Sequence, residues 1–577
     1  AQATFCSRSF GFRSCLVELQ WALGFVRHFL GRPRIMDTRD DARTVPMSVS
    51  GDQVPELSEV DHPSNEALSF NLNHREGDGE VEVDSDDGEA VEDPNAPLTF
   101  KFSFRKLLRF MGPGWLMSLA YLDPGNLESD LQQGAYTRYH LVWVLWWATV
   151  MGLVLQELSS RIGVVTGMDM AQMVRSKYPK WLNYVIYVNM EIAVIASDIQ
   201  EVVGSGIALN LLSNGGIPVW AGCIITGADT FTFLAVHYLG VRYLEALVCF
   251  LVSVMSVSFF INWGETDVDA GKLMMGWIVP RLPSYALTQA VGTIGAVIMP
   301  HNLYLHSGLV LSRRIDRNSS RKVNDAIQYN FLESGLALLT SFFINLAVVA
   351  SNAGNFYTQD CAEMDGGPYA CLNPNAIDSA DRQGPCELPS GVSGFCGELG
   401  LAQEGAALQH GLGSASLYIW AVGLLAAGQA ATMTCTYAGQ IIMGGCLQIE
   451  LAPWKRVAFT RLIALGPSIV VAAATISNQK LFNDINEYLN VLQSVQLPFA
   501  MLPVMAISSQ GRIMGRFRPR IWSICINFAL AGLVLVVNFI AVLQFAADFS
   551  TAGQVALGIY GILYFGLCGR MCFAAAA

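Results

Sequence analysis

Charge is what this chain has least of. Only 14% of its 577 residues are Asp, Glu, Lys or Arg, while 52% are hydrophobic. A soluble domain carries about a quarter charged residues. The deficit, together with long apolar runs, excludes an ordinary soluble protein and places the chain in the membrane class. The sequence also lacks a phosphate-cradling glycine loop, a Cys/His metal finger and a nucleophile elbow. That excludes the usual machinery of a pump or hydrolase, so no enzyme activity, no cofactor and no nucleic-acid partner are expected. An initiator methionine is missing as well; the first Met is Met36. The Arg-rich residues 1–35, with the apolar Leu16–Leu30 stretch, read as translated upstream sequence or as a targeting segment.

What acidity there is lies in one place. The net charge is −12, yet residues 36–100 alone hold 18 Asp/Glu against three Lys/Arg, leaving the rest about +3. Residues 37–98 are polar and poor in aromatics, the composition of a disordered tail. Cysteine is uneven too. Four of 13 fall in one loop, Cys361, Cys371, Cys386 and Cys396. Two disulfides with three possible pairings are expected there; the absence of CxxC argues against a zinc cluster.

Apolar windows of about 20 residues predict twelve spans, near 105–136, 140–163, 182–212, 217–236, 241–262, 286–312, 328–351, 412–446, 457–476, 484–508, 520–545 and 552–569. With a cytosolic N-terminus, the inner loops collect 16 Lys/Arg, from Arg161 to Arg520, against five in the outer loops: Arg138, Lys272, Arg281, Arg382 and Lys480. This bias follows the positive-inside rule and turns the Cys-rich loop at 353–411 outward.

The first and sixth spans share a pattern. Each runs apolar, then x-Pro-x-Asn, then apolar: Asp123-Pro124-Gly125-Asn126 and Met299-Pro300-His301-Asn302. Proline removes a backbone donor and clashes with the preceding turn, so each helix should break there. Five spans separate the copies, and an odd number inverts the second unit. Interrupted helices at matching positions of two halves point to a transport site near the midplane. The expected fold is therefore an all-α polytopic membrane protein. Its parts are an acidic tail (1–100), a first inverted repeat (101–262), a second (263–510), and two final helices (511–577).

The chemistry at the breaks is specific. Unwinding frees backbone carbonyls, which need partners inside a membrane; a cation is one. Asp123 supplies a charged oxygen, Asn126 a neutral one, Met299 a thioether, and Ala296 a carbonyl at the second break. Oxygen alone suits Mg²⁺ or Ca²⁺; sulfur tilts the site toward transition metals. Other ionisable residues lie within spans: His301, His306, Asp198 with Glu201 at i, i+3, and Arg461. They suggest a proton path or gating pairs, with structural ion pairing or packing as the plainer readings.

These residues resemble the Nramp family, the natural-resistance-associated macrophage protein and divalent metal transporter group, in its eukaryotic form. The resemblance covers roughly residues 100–545. It rests on GPGWLMSLAYLDPGNLESDLQQGA, SDIQEVVGSGIALNLL, QAVGTIGAVIMPHNLYLHS, LYIWAVGLLAAGQ, TYAGQ and LNVLQSVQLPFAMLP. It implies a LeuT-type fold of two inverted five-helix repeats. It also implies proton-coupled import of Mn²⁺, Fe²⁺ and related ions by a monomeric unit in the bilayer of a plasma, endosomal or vacuolar membrane. It assigns Asp123, Asn126, Met299 and the Ala296 carbonyl to the metal, adds Gln493, and gives His301, Asp198, Glu201 and Arg461 to proton transfer and gating. One stretch departs: GQAATMTCTYAGQ has Ala430, Ala431 and Cys435 where the family pattern reads GQSSTMTGTYAGQ. A same-fold carrier of Mg²⁺ or an amino acid, and a non-transporting sensor, are the alternatives. Neither other cargo needs a carboxylate and a thioether together at the breaks.

Overall fold

Among the described residues, Pro124 and Pro300 each open a helix after a non-helical residue, Pro467 and Pro503 lie inside helices, and Pro498 follows a residue that stays helical. A computed structural model describes residues 100–574 except 111–116, 118–120, 240, 314, 378, 380, 449–452, 475–478 and 548–549. The expected tail and the Leu16–Leu30 stretch lie outside these residues. In chain order come α1 (Phe104–Phe110), α2 (Pro124–Thr137), α3 (Val142–Thr166), the short α4 (Met170–Lys177), α5 (Lys180–Leu212), α6 (Val219–Leu239) and α7 (Val241–Glu265). After the short α8 (Ala270–Ile278), the sixth span appears as two pieces, α9 (Leu287–Val297) and α10 (Pro300–Leu309). Then follow α11 (Ser320–Asn355), α12 (Gln359–Ala362), α13 (Leu401–Leu412), α14 (Ser414–Leu447), α15 (Pro453–Ala474), α16 (Gln479–Gln496), α17 (Pro498–Ser508), α18 (Gly511–Met514), α19 (Ile521–Ala547) and α20 (Thr551–Ala574).

Helices stand at each expected span position, and among the described residues eight segments are long and apolar enough to cross a membrane. Of the first expected span, α1 and the 14-residue half-helix α2 are described, with most of the residues between them outside the described ones. Leu533, Val536, Ile562 and Leu563 on α19 and α20 are each more than half exposed. A contiguous apolar exterior of that kind suits lipid and not water.

The breaks differ from kinks in their backbone. Ile298 (φ −106°, ψ 70°) and Met299 (φ −65°, ψ 127°) leave the helical region altogether. Asp123 is extended (φ −79°, ψ 167°). Leu497 before Pro498 stays helical (φ −52°, ψ −41°), so the tenth span only bends into α16 and α17. Pro467 and Pro503 lie inside α15 and α17. A proline alone therefore does not unwind these helices; the breaks persist where other side chains take up the freed backbone groups.

Close helix approaches fix the half-helices. A Cβ on Gly295 of α9 would run into the Asn490 carbonyl and the Ser494 amide of α16. One on Gly134 of α2 would strike the Val349 carbonyl of α11. Glycine lets these backbones touch, as small residues do at helix interfaces in membranes.

The loop at 353–411 adds β-structure that the all-α expectation did not contain. β1 (Ala370–Leu372), β2 (Pro385–Glu387) and β3 (Ser393–Gly397) form an antiparallel sheet in the order β1-β3-β2. Cys371 pairs in register with Cys396, yet the disulfides are Cys361–Cys396 and Cys371–Cys386. This settles the pairing left open by spacing. Runs of three to five residues carry too little periodicity to stand out as strands. The loop is docked on α2: Leu399 N–H donates to Tyr136 Oη (2.9 Å), and Leu401 N–H donates to Glu128 Oε2 (3.0 Å).

Glu404 on α13 is 1% exposed, and burial pushes its carboxyl up to about 8 from 4.5, with Asn352 partly offsetting the shift. A carboxyl raised on folding favours the folded state when protonated, and that contribution fades as pH rises from 4.5 through 8. Glu404→Gln keeps the neutral shape. It should raise the melting temperature at pH 9 by several degrees, since each pKa unit is worth about 1.4 kcal/mol and about 1 kcal/mol moves a large domain by about 2 °C, and the gain should vanish below about pH 4. Equal gains at both pH values would show that Glu404 ionisation plays no part.

Candidate functional site

Pro300 has no N–H, so the carbonyl four residues earlier, Ala296, has no partner of its own helix. The structure shows where that carbonyl turns: it accepts from Asn126 Nδ2 at 3.0 Å, across from the other break. Asn126 sits three residues into α2 because Asp123 caps that helix, accepting the Asn126 backbone N–H at 3.0 Å and its side-chain amide as well. One short motif thus places a carboxylate, an amide and the carbonyl of the opposite repeat on one point. The unwound stretch before it is held by Asn345 of α11, whose Nδ2 donates to the Tyr121 carbonyl at 3.0 Å.

Asp123, Asn126, Ala296 and Met299 are all buried, at 2% exposure or less. Asp123 Oδ2 and Asn126 Oδ1 find no hydrogen-bond partner among the described residues. Oxygen atoms buried without partners cost free energy in proportion to their charge, and a cation would relieve both. Met299, the residue before Pro300, is the last non-helical residue of the second break. Its Sδ lies 3.8 Å from Ser197 Oγ, and that hydroxyl donates to Glu201 Oε1 at 2.9 Å. Glu201 of α5 is therefore one serine away from the thioether, and Asp198 stands three residues before it on the same helix.

The remaining candidates divide. His301 is 1% exposed, directly follows the break, and its Nδ1 has no partner among the described residues. His306 faces Ser334 on α11 (3.5 Å), and no described hydrogen bond ties it to either break. Gln493 is fully buried but reaches the site through a relay: its Nε2 donates to Gln200 Oε1 (2.9 Å). Gln200 Nε2 donates to Asn490 Oδ1 (3.0 Å), and Asn490 Nδ2 donates to the Gly125 carbonyl (3.0 Å). Arg461 belongs to α15; its side chain lies outside the described residues.

Gln200 and Asn490 are the residues that sequence reasoning missed. A Cβ on Gly125 would lie 2.7 Å from Gln200 Oε1, 3.1 Å from Asn490 Oδ1 and 3.1 Å from Asp123 Oδ2, so these side chains wall the first break. A faint signal existed: Gln200 stands between Asp198 and Glu201, and Asn490 is three residues before Gln493, on the same helix face.

Chemically, the arrangement offers one carboxylate, one amide, one carbonyl and one thioether from two interrupted helices. That donor set suits a divalent ion between the hard and soft limits.

The chain is similar to known proteins over most of its length. The sequence model of the Nramp family, natural resistance-associated macrophage protein-like, matches residues 114–544. "Metal transporter Nramp2" of Arabidopsis thaliana is 43% identical over 468 residues, covering 81% of each chain. "Metal transporter nramp1 homolog" of Dictyostelium discoideum is 43% identical over 450 residues, 78% of this chain and 77% of the relative. Among solved structures, the Eremococcus coleocola manganese transporter in complex with an aromatic bis-isothiourea substituted compound superposes with a TM-score of 0.68 at 26% identity. It covers 84% of this chain and 98% of its own. From its motifs, its two broken helices and these matches together, this chain belongs to the Nramp family.

Proposed function

We propose that this protein is a proton-coupled symporter that carries divalent transition-metal ions, Mn²⁺ and Fe²⁺ among them, into the cytosol by alternating access. The observation that carries this reading is the contact of Asn126 Nδ2 with the Ala296 carbonyl, which joins the two breaks around Asp123 and Met299. In the structure the Asn126 amide spends its N–H groups on the Asp123 carboxylate and on Ala296. Turned over, the same amide presents Oδ1 to the same point. One side chain can thus bridge the repeats directly or through an ion. Similarity to proteins named metal transporters, and to a manganese transporter, supports the choice of cargo.

Each repeat supplies half the ligands, so a movement of one repeat against the other changes access without dismantling the site. All of the proposed ligands come from one chain, in keeping with a monomeric transport unit. Two disulfides in the 353–411 loop point to an oxidising compartment on that side of the membrane, which agrees with a cytosolic N-terminus. His301 lies beside the ligand Met299, and Glu201 reaches it through Ser197. We assign to these residues and Asp198 the proton route that runs beside the metal.

The test is uptake by the full-length protein in liposomes, with a panel of Mn²⁺, Fe²⁺, Cd²⁺, Mg²⁺ and Ca²⁺ and an internal pH dye. Mn²⁺ and Fe²⁺ should enter faster at acidic external pH and acidify the lumen. Metal entry without acidification would remove the coupling; preference for Mg²⁺ would overturn the cargo. A narrower test is His301→Ala, which should flatten the dependence of uptake on external pH. An unchanged profile would take His301 off the proton route.

A further inference from the structure

Half of the 14 residues of α2 are polar, from Asn126 to Thr137, yet every residue of this helix is buried. Asp130 Oδ2 and Gln133 Nε2 lie there without a hydrogen-bond partner among the described residues. Polar groups shut away from water cost free energy when unpaired. A helix of this composition suits a surface that is wet in another state of the molecule. What covers it is the Cys-rich loop. Ala370 and Leu372 of β1, with Leu399 and Leu401, pack in one core with Leu127, Leu131 and Tyr136 of α2. The other side of the loop meets solvent, where Pro385 and Glu387 of β2 are exposed.

Residues 399–401 form the inner edge of this cover. On one side they hold α2, through the bonds of Leu399 N–H to Tyr136 Oη (2.9 Å) and of Leu401 N–H to Glu128 Oε2 (3.0 Å). On the other side they meet α16: a Cβ on Gly400 would lie 2.0 Å from Asn483 Oδ1 and 2.6 Å from its Cγ. Trp420 Nε1 of α14 donates to the Leu401 carbonyl at 3.1 Å. Asn483 stands two turns before Asn490 on the same face of α16, and Asn490 Nδ2 donates to the Gly125 carbonyl in the first break. The edge is thus a wedge between two helices that both wall the metal site. Two disulfides brace the sheet behind it. Gly413, exposed at the junction of α13 and α14, has φ 102°, a backbone shape that only glycine adopts freely.

We propose that this loop is the outer lid of the transport path, and that residues 399–401 lift from between α2 and α16 each time an ion enters. The proposal rests on the alternating-access reading given above. The gap that an incoming ion needs, beside the polar face of α2, is the one the wedge fills. The disulfides let the lid move as one piece, and Gly413 is its pivot. Closed, it keeps water from the bound ion; open, it gives the polar side chains of α2 to solvent.

The experiment ties the lid down. The Asn483 Cγ marks the place that the sulfur of Asn483→Cys would take, so Gly400→Cys with Asn483→Cys can close a disulfide, whose Cβ atoms need about 4 Å. The full-length double variant is placed in liposomes, and Mn²⁺ uptake is measured before oxidation, after it, and after reduction, with the bridge followed by peptide mass spectrometry. Oxidation should lower uptake by about 10-fold or more, and reduction should restore it. Gly400→Cys with Asn483→Ala has room for the same side chain but cannot bridge, and it should not respond to the oxidant. A fully bridged protein that carries Mn²⁺ as fast as this control would overturn the lid and leave the proposed function standing. A parent that carries no Mn²⁺ would overturn both. Hydrogen exchange on the unmodified protein decides the matter if the double variant does not fold. The Leu399 and Leu401 amides should exchange about threefold faster or more under an inward Mn²⁺ and proton gradient than without one. Exchange that ignores the gradient would overturn the proposal.

Discussion

Asp123→Ala is expected to abolish Mn²⁺ uptake in liposomes and to weaken Mn²⁺ binding by more than about 100-fold. Even partners outside a metal's immediate ligands cost about 10–100-fold when removed, and Asp123 supplies the only ionised oxygen of the proposed set. It also does a second job. Its carboxylate caps α2 and holds the Asn126 backbone and amide. Losing a cap of this kind costs about 1 kcal/mol, too little to unfold a protein of this size. The variant should therefore elute as the parent does on size exclusion while failing to transport. Asp123→Asn separates the two roles, since it can still cap the helix but has no charge; it should fold as the parent and remain inactive. Mn²⁺ uptake near the parent rate by either folded variant would remove Asp123 from the site.

Met299→Ala should have the opposite character. Mn²⁺ transport persists, because three oxygen donors remain, but the filter is lost. Ca²⁺ and Mg²⁺ bind oxygen as well as Mn²⁺ does and gain nothing from sulfur. On the proposed function they are disfavoured because the thioether occupies a ligand position that they would fill with oxygen. With alanine, water takes that position. Ca²⁺ should enter the Met299→Ala variant at a rate within about 10-fold of Mn²⁺, since removing one weak ligand is worth roughly 1–2 kcal/mol of discrimination. Met299 also borders Ser197. Met299→Leu therefore serves as a packing control: it fills the space without sulfur and should admit Ca²⁺ too. If Met299→Leu excludes Ca²⁺ as the parent does, the side chain filters by shape and not by sulfur.

The two breaks were legible in the sequence because proline leaves a definite mark on the backbone. Pro300 orphans one carbonyl, Ala296, and the structure shows that carbonyl turned to the other break. Pro467, Pro498 and Pro503 leave the same mark in the sequence without unwinding their helices, and no local rule separates the two groups. The difference is tertiary: Asn345 supports the unwound carbonyl of Tyr121, and Asn126 supports that of Ala296. The side chains that wall the first break, Gln200 and Asn490, come from helices remote in sequence and carry no charge to draw attention in an apolar span. Gln493 joins them through Gln200, a relay that depends on how α5 and α16 pack. The sheet in the Cys-rich loop was hidden for another reason. Its strands are short, and what holds them is disulfide pairing, which spacing leaves open.

The central claim is that the cargo ion sits between the two breaks and touches both repeats. Crystals of the full-length protein grown with Mn²⁺, with data collected at the manganese absorption edge, test it directly. The account predicts one anomalous peak in coordination contact with Asp123, Asn126, the Ala296 carbonyl and the Met299 sulfur, absent from Asp123→Ala crystals. A peak that keeps away from Met299, or that persists without Asp123, would contradict it.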